Sequence, residues 1–115
     1  PEWGNALCKD RKERDMLCVG AYQDNELTAL AGASADCDMM WQIGVDVLPA
    51  YRVRGLAKAV TSRLAAEVFA RGKVPFYCAA WSNIPSVRNA LACGFYPAWV
   101  QLTAKPAEGL PPKKV

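Results

Sequence analysis

Leu56, Val60, Leu64 and Val68 recur every four residues, with Ala57, Ala65 and Phe69 beside them. That spacing puts an apolar stripe along one face of an α-helix. Arg63, Glu67 and Arg71 form two i,i+4 opposite-charge pairs on the wet side. Gly72 is suited to the C′ position, and Pro75 blocks continuation. The helix is bracketed by two strand-like segments. "MMWQIGVDVL" (Met39 to Leu48) alternates Trp41, Ile43, Val45 and Val47 on one face with Gln42, Gly44, Asp46 and Leu48 on the other, and Pro49 ends its ladder. "VPFYCAA" (Val74 to Ala80) is short and wholly apolar, as expected of a strand inside a sheet. Strand, helix and strand at these lengths make a βαβ unit whose two strands are expected to run parallel.

The flanks complete a mixed α/β class. "MLCVGAY" (Met16 to Tyr22) and "LTALAGASA" (Leu27 to Ala35), joined by the turn residues "QDNE", read as an antiparallel hairpin. A second turn, "DCD", leads into the strand at Met39. After the βαβ unit, "IPSVRNALAC" (Ile84 to Cys93) reads as a short helix with Pro85 in its first turn and Gly94 after its end. "FYPAWVQLTA" (Phe95 to Ala104) is expected to be a last strand. The organisation is a leading segment at 1–15, one domain at 16–104 and a loose Pro-, Gly- and Lys-rich tail at 105–115.

The chain of 115 residues is one domain's worth, and 52% hydrophobic residues suffice for a core. No apolar run approaches the roughly 18 residues of a membrane span, and the opening "PEWGNALCKDRKERD" has no secretory-signal pattern. Five widely spaced cysteines without a CxxC pair point away from a disulfide framework or zinc site and towards a reducing, cytoplasmic setting. Histidine is absent, which excludes Ser-His-Asp and Cys-His catalysis. A net charge of +3 is too small to imply a nucleic-acid partner, and Arg11 to Arg14 ("RKER") read as a solvated charge run.

The charge that does gather lies at the seam between strand and helix, in "VLPAYRVRGLAKAV" (Val47 to Val60). A helix N-terminus carries unpaired N–H groups and partial positive charge. Gly55 and Ala57 let a ligand approach the backbone, while Arg52, Arg54 and Lys58 add cationic side chains. Such a start accommodates a phosphate or pyrophosphate. The residues alone are equally compatible with a solvated basic turn whose glycine serves local geometry.

The same residues resemble the signature of the GNAT superfamily of acetyl-CoA-dependent N-acyltransferases, V-x-P-x-x-R-x-x-G-x-G/A, with Val47, Pro49, Arg52, Gly55 and Ala57 in register. About thirty residues on, "NIPSVRNALACGF" is similar to the family's second element through Asn83, Ser86, Gly94 and Phe95. The resemblance covers roughly residues 16–104 and implies a GNAT-like mixed sheet without the family's first strand and helices. It points to the C-terminal acetyltransferase domain of a longer bacterial protein, with an N-terminal domain or a second copy covering apolar sheet surface.

The resemblance implies acetyl-CoA as co-substrate, no metal, and an unidentified amine as acceptor. The pyrophosphate is expected on the loop Arg52, Val53, Arg54, Gly55, Leu56, Ala57 and Lys58. The pantetheine arm is expected between the parted parallel strands, paired with backbone at Val47 and Leu48 and reached by Asn83 and Ser86. The reaction needs no imidazole, since the amine attacks the thioester directly in a ternary complex. Asp46 is the candidate base, and its alternative role is that of a hydrogen-bonded strand carboxylate. The family's acid is a tyrosine four residues before the second motif's glycine, a position held here by Ala90. Tyr96 is the candidate replacement, with Tyr77 and Cys93 also nearby in sequence. The departure at Ala90 leaves a rival reading, a binding module that holds acetyl-CoA without turnover.

Overall fold

The computed structural model describes residues 3–104, so the tail expected at 105–115 lies outside the described residues. Four strands form one sheet in the order β1-β2-β3-β4, with β1 at Asp15–Gln23, β2 at Glu26–Ala35, β3 at Met40–Val47 and β4 at Val74–Tyr77. The first three are antiparallel neighbours, and β3 and β4 are parallel. The crossover between those two is α1 at Leu56–Ala70, and α2 follows at Ile84–Ala92. The hairpin turn carries Asp24 and Asn25 at positive φ, a conformation these side chains tolerate. A short 3-10 helix, Lys9–Arg14, ends the leading segment.

The core lies between α1 and one face of the sheet. Val60, Leu64 and Val68 are buried against Ala29, Ala31, Ala33, Trp41 and Ile43, with Leu56 and Ala65 packed alongside. Alanines along β2 let the helix approach closely, and Leu64 fills the centre at 0% exposure. Truncating such a side chain removes its transfer free energy and leaves a cavity. The Leu64→Ala variant is expected to lose about 2–5 kcal/mol of stability, measured by urea unfolding. Both charge pairs of α1 form: Glu67 accepts from Arg63 and Arg71 at 3.0 Å each. The Arg71 hydrogen bond, then the Arg63 charge, lowers the Glu67 pKa, but at this exposed site the effect on stability is slight. Gly72 and Gly94 close the two helices at positive φ.

Three expectations are corrected. Phe69 does not join the apolar stripe; it is exposed, and Thr61 is buried in the helix face instead. "VPFYCAA" is an edge strand that ends at Tyr77, not an interior strand reaching Ala80. Pro75 lacks an N–H for a ladder, which fits an edge position. Residues 95–104 form no strand. Pro97 removes a donor there, and the segment meets β4 through a Phe76–Trp99 ring contact at 6.1 Å rather than a ladder. Tyr96, Val100 and Leu102 in that segment are exposed.

The second face of the sheet is partly covered from within the chain. Gly32 of β2 and Gly44 of β3 are cross-strand partners on the face away from α1. A Cβ on Gly32 would collide with the Ala6 carbonyl oxygen, and one on Gly44 with that of Asn5. The leading segment therefore lies directly on bare backbone, and Ala6 is buried. Met16 and Tyr22 on β1 remain exposed.

Candidate functional site

The ladder between β3 and β4 runs from Met40–Val74 to Ile43–Tyr77 and stops. β3 continues to Val47, paired with β2 alone, while the other chain departs through Cys78, Ala79 and Ala80. The sheet thus opens between two parallel strands. A cleft of about 770 Å³ occupies the opening, lined by the end of β3, the Tyr51–Lys58 turn, Tyr77–Ala80 and the start of α2.

Backbone direction along β3 can be read from its ends. Leu48 donates its N–H to Thr28 on the β2 side, and Met39 accepts from Val74 on the β4 side. Peptide groups alternate along a strand, so the N–H and C=O of Val45 and Val47 face the gap. The Val47 carbonyl accepts from Arg52 Nε at 3.3 Å. What remains for a ligand is the pair of groups on Val45 and the N–H of Val47. Leu48 does not offer backbone to the cleft, contrary to expectation, because its carbonyl also accepts from the Tyr51 N–H at 2.9 Å.

Beyond β3 the chain turns through a 3-10 helix, Pro49–Tyr51, and enters α1 at Gly55. Gly55 is the N-cap at φ +76°, a left-handed conformation that favours glycine, and no side chain caps the helix. Open space surrounds the position where its Cβ would stand. The first-turn N–H groups of Leu56, Ala57 and Lys58 therefore point outward without an intrahelical acceptor. Val53, two residues earlier, also has positive φ, at 62°. A β-branched residue there is strained. The turn is tied down on its outer side. Tyr51 Oη donates to Glu26 at 3.0 Å, and the Arg54 guanidinium lies 5.4 Å from the Tyr51 ring centre. The hydrogen bond to Glu26 raises the Tyr51 pKa, so the phenol stays a donor at neutral pH.

The opposite wall comes from β4 and α2. Asn83 is the N-cap of α2, its Oδ1 accepting from the Ser86 N–H at 3.4 Å, which leaves Nδ2 for the cleft. Ser86 Oγ and Tyr77 Oη are 2.8 Å apart. Asn89 Nδ2 donates to Tyr77 Oη at 3.4 Å and to the buried Thr61 Oγ1 at 3.2 Å. Tyr77 is further held by the Phe95 ring at a centroid distance of 5.7 Å. Cys78 also lines the cleft, and partial desolvation, with a smaller contribution from Asp36, pushes its thiol pKa up. It is a protonated thiol at neutral pH and a poor nucleophile.

Asp46 is the penultimate residue of β3, with its side chain on the face away from α1. Its Oδ2 accepts from the N–H groups of Asn5 and Ala6 at 2.9 and 2.8 Å, and its Oδ1 from Asn5 Nδ2 at 2.7 Å. Both carboxylate oxygens are therefore engaged, Oδ2 by two donors and Oδ1 by one. Tyr96 is 81% exposed and does not line the cleft; the phenols that do are Tyr51, whose hydroxyl is bonded to Glu26, and Tyr77. Of the other sequence candidates, Val47, Arg52, Val53, Gly55, Leu56, Ala57, Lys58, Asn83 and Ser86 all line the cleft. Arg54 stands outside that lining, over the Tyr51 ring. Sequence reasoning missed Asn89 and the contact of Asn5 with Asp46. Two glycines inside strands were the available signal for the latter, since such glycines mark close backbone approach. Among the described residues, no cluster of three or more His, Cys, Asp or Glu side chains could hold a metal ion, and no helix is long and apolar enough to cross a membrane.

The comparisons with known proteins agree on one fold. An aminoglycoside N-acetyltransferase, AAC(6')-Iy, solved with CoA, superposes with a TM-score of 0.67 at 22% identity, covering 80% of this chain and 67% of that one. A GNAT-family protein from Novosphingobium aromaticivorans gives 0.66 at 29% identity, over 72% of this chain and 38% of the other. The yncA protein from Salmonella typhimurium, solved with acetyl-CoA, gives 0.64 at 24% identity, over 69% and 49%. This chain thus spans less than half the length of the last two. No curated protein matches the sequence. The model of the GNAT acetyltransferase family matches residues 13–98, three quarters of the chain and all of the cleft except Asn5. The chain belongs to the GNAT acetyltransferase family.

Proposed function

We propose that the cleft binds acetyl-CoA and that the protein transfers its acetyl group to an amine. The observation that carries this reading is the parting of β3 and β4 in front of an uncapped helix N-terminus flanked by cations. The fit is chemical. Outward N–H groups at Leu56, Ala57 and Lys58, with the Arg52 and Lys58 side chains, suit a pyrophosphate. The free Val45 carbonyl and Val47 N–H suit an amide-bearing arm that adds to the strand edge, as an extended peptide does. The Asn83 amide can reach the same arm from the other wall.

The bound co-substrate supplies an acetyl thioester. A neutral amine held against it attacks the carbonyl carbon, the C–S bond breaks with its electron pair on sulfur, and the proton that nitrogen loses passes to solvent water. Placing the two reactants together is the largest contribution, several kcal/mol by analogy with intramolecular reactions. The N–H of Val45 faces the gap and can donate to the carbonyl oxygen as negative charge builds there. Tyr77 takes the role the sequence assigned to Tyr96. Its oxygen receives the Asn89 amide proton, which leaves its own O–H to donate to Ser86 or to departing sulfur. In this reading Ala90 is not a gap in the machinery, because the phenol is supplied from β4.

The test is thiol release from acetyl-CoA in the presence of a broad panel of amines. Turnover with at least one amine, dependent on protein, is expected. Tight acetyl-CoA binding without turnover of any amine would favour the binding-module reading instead.

A further inference from the structure

We propose that Asp46 anchors the positive charge of the acceptor amine and that the leading segment guards it in cis; this rests on the acetyl-transfer reading of the cleft. Among the described residues, Asp46 is the one carboxylate lining the cleft, and its side chain leaves β3 on the face away from α1. An incoming alkylammonium finds its complement there and nowhere else in the lining. Three N–H donors from Asn5 and Ala6 now occupy both oxygens, in the positions an ammonium's own donors would take.

The segment that supplies them is held in a purpose-shaped trench. Gly32 and Gly44 face each other across β2 and β3, and the carbonyls of Ala6 and Asn5 rest where Cβ atoms would stand. Any other residue at either position would push the segment off the sheet. Asn5 itself also lines the cleft, so the segment borders the cleft as well as covering the carboxylate. For an amine to reach Asp46, the segment must lift. The apparent affinity for amine is then reduced by the fraction of molecules in which it has lifted.

Gly32 is outside the cleft lining, which makes Gly32→Ala the informative variant: its methyl group displaces Ala6 and leaves Asp46 in place. The probe is n-butylammonium, titrated while the Asp46 side-chain carboxyl carbon is followed by NMR, with acetyl-CoA affinity measured in parallel. The expected result is about tenfold tighter amine binding in Gly32→Ala than in wild type, from the larger open fraction. Asp46→Asn, with amine binding read on neighbouring amides, should bind the probe at least tenfold more weakly than wild type. Asn5→Pro loses one backbone donor and the side-chain amide without touching the sheet, and it carries the same expectation as Gly32→Ala should that variant not fold. Equal amine affinity in wild type and in the folded segment variants would overturn the guard. Unchanged affinity in Asp46→Asn would overturn the anchor. Failure of the acetyl-transfer reading shows separately, as absence of acetyl-CoA binding in wild type.

Discussion

Gly55→Glu is expected to weaken acetyl-CoA binding by about a hundredfold or more while the protein remains folded. The new carboxylate stands at the N-cap of α1, beside the outward N–H groups that the proposal gives to the pyrophosphate. Two unit charges about 4 Å apart near a protein surface interact by roughly 4 kcal/mol, and screening by salt and solvent leaves about 2–3. That corresponds to about a hundredfold or slightly less, before steric exclusion is added. The control is Gly55→Ala. It introduces the same strain at φ +76° into open space, without charge. Its cost falls on stability, about 1–2 kcal/mol for a left-handed non-glycine residue, and coenzyme affinity should change little. Calorimetric titration of both variants separates charge from conformation. Equal affinity in Gly55→Glu and wild type would remove the helix start from the binding site.

Tyr77→Phe is expected to lower turnover about a hundredfold, the usual contribution of a placed proton donor, at nearly unchanged acetyl-CoA affinity. The substitution keeps the ring against Phe95 and removes only the hydroxyl that meets Ser86 and Asn89. Some loss of stability accompanies it, because Ser86 and Asn89 each lose a partner. Steady-state kinetics distinguishes the two effects, since a merely structural hydroxyl would leave the turnover of the folded enzyme intact. Tyr96→Phe is the companion variant. Its ring is 81% exposed and outside the cleft, so its kinetics should match wild type.

The βαβ unit was legible because its signals are local and agree with one another. The four-residue stripe of α1, the alternation of β3 and the glycine after α1 are each local signals, and the structure has α1, β3 and a positive-φ Gly72 where they point, while β4 ends three residues short of the expected Ala80. The anion-ready turn was legible for the same reason, since a helix start lies in consecutive residues. The splay of β3 from β4 was reached through family resemblance, as no local pattern announces where a ladder stops.

The misreadings share a cause. Residues 95–104 have strand-like composition, but a strand needs a partner edge, and β4 offers only four residues beside Pro97. Leu48 looks like the end of a free strand, yet its peptide groups are taken by Thr28 and Tyr51, a matter of direction that composition does not encode. Tyr96 lies close to the second motif in sequence and far from the cleft's chemistry, whereas Tyr77 arrives from a different element. Asp46 was weighed as base or as hydrogen-bonded carboxylate; the structure shows its hydrogen bonds and leaves proton transfer to experiment.

The central claim is that the opened sheet and the α1 N-terminus together hold acetyl-CoA. The most direct measurement is an NMR titration of the isotopically labelled protein with acetyl-CoA, read at assigned backbone amides. The account predicts saturable shifts at Val45 and Val47, where the strand edge is free, together with Leu56, Ala57 and Lys58 at the helix start. Leu48, whose N–H is bonded to Thr28, should move less than Val47. Saturable binding that leaves these five amides unmoved, or no binding at millimolar acetyl-CoA, would contradict it.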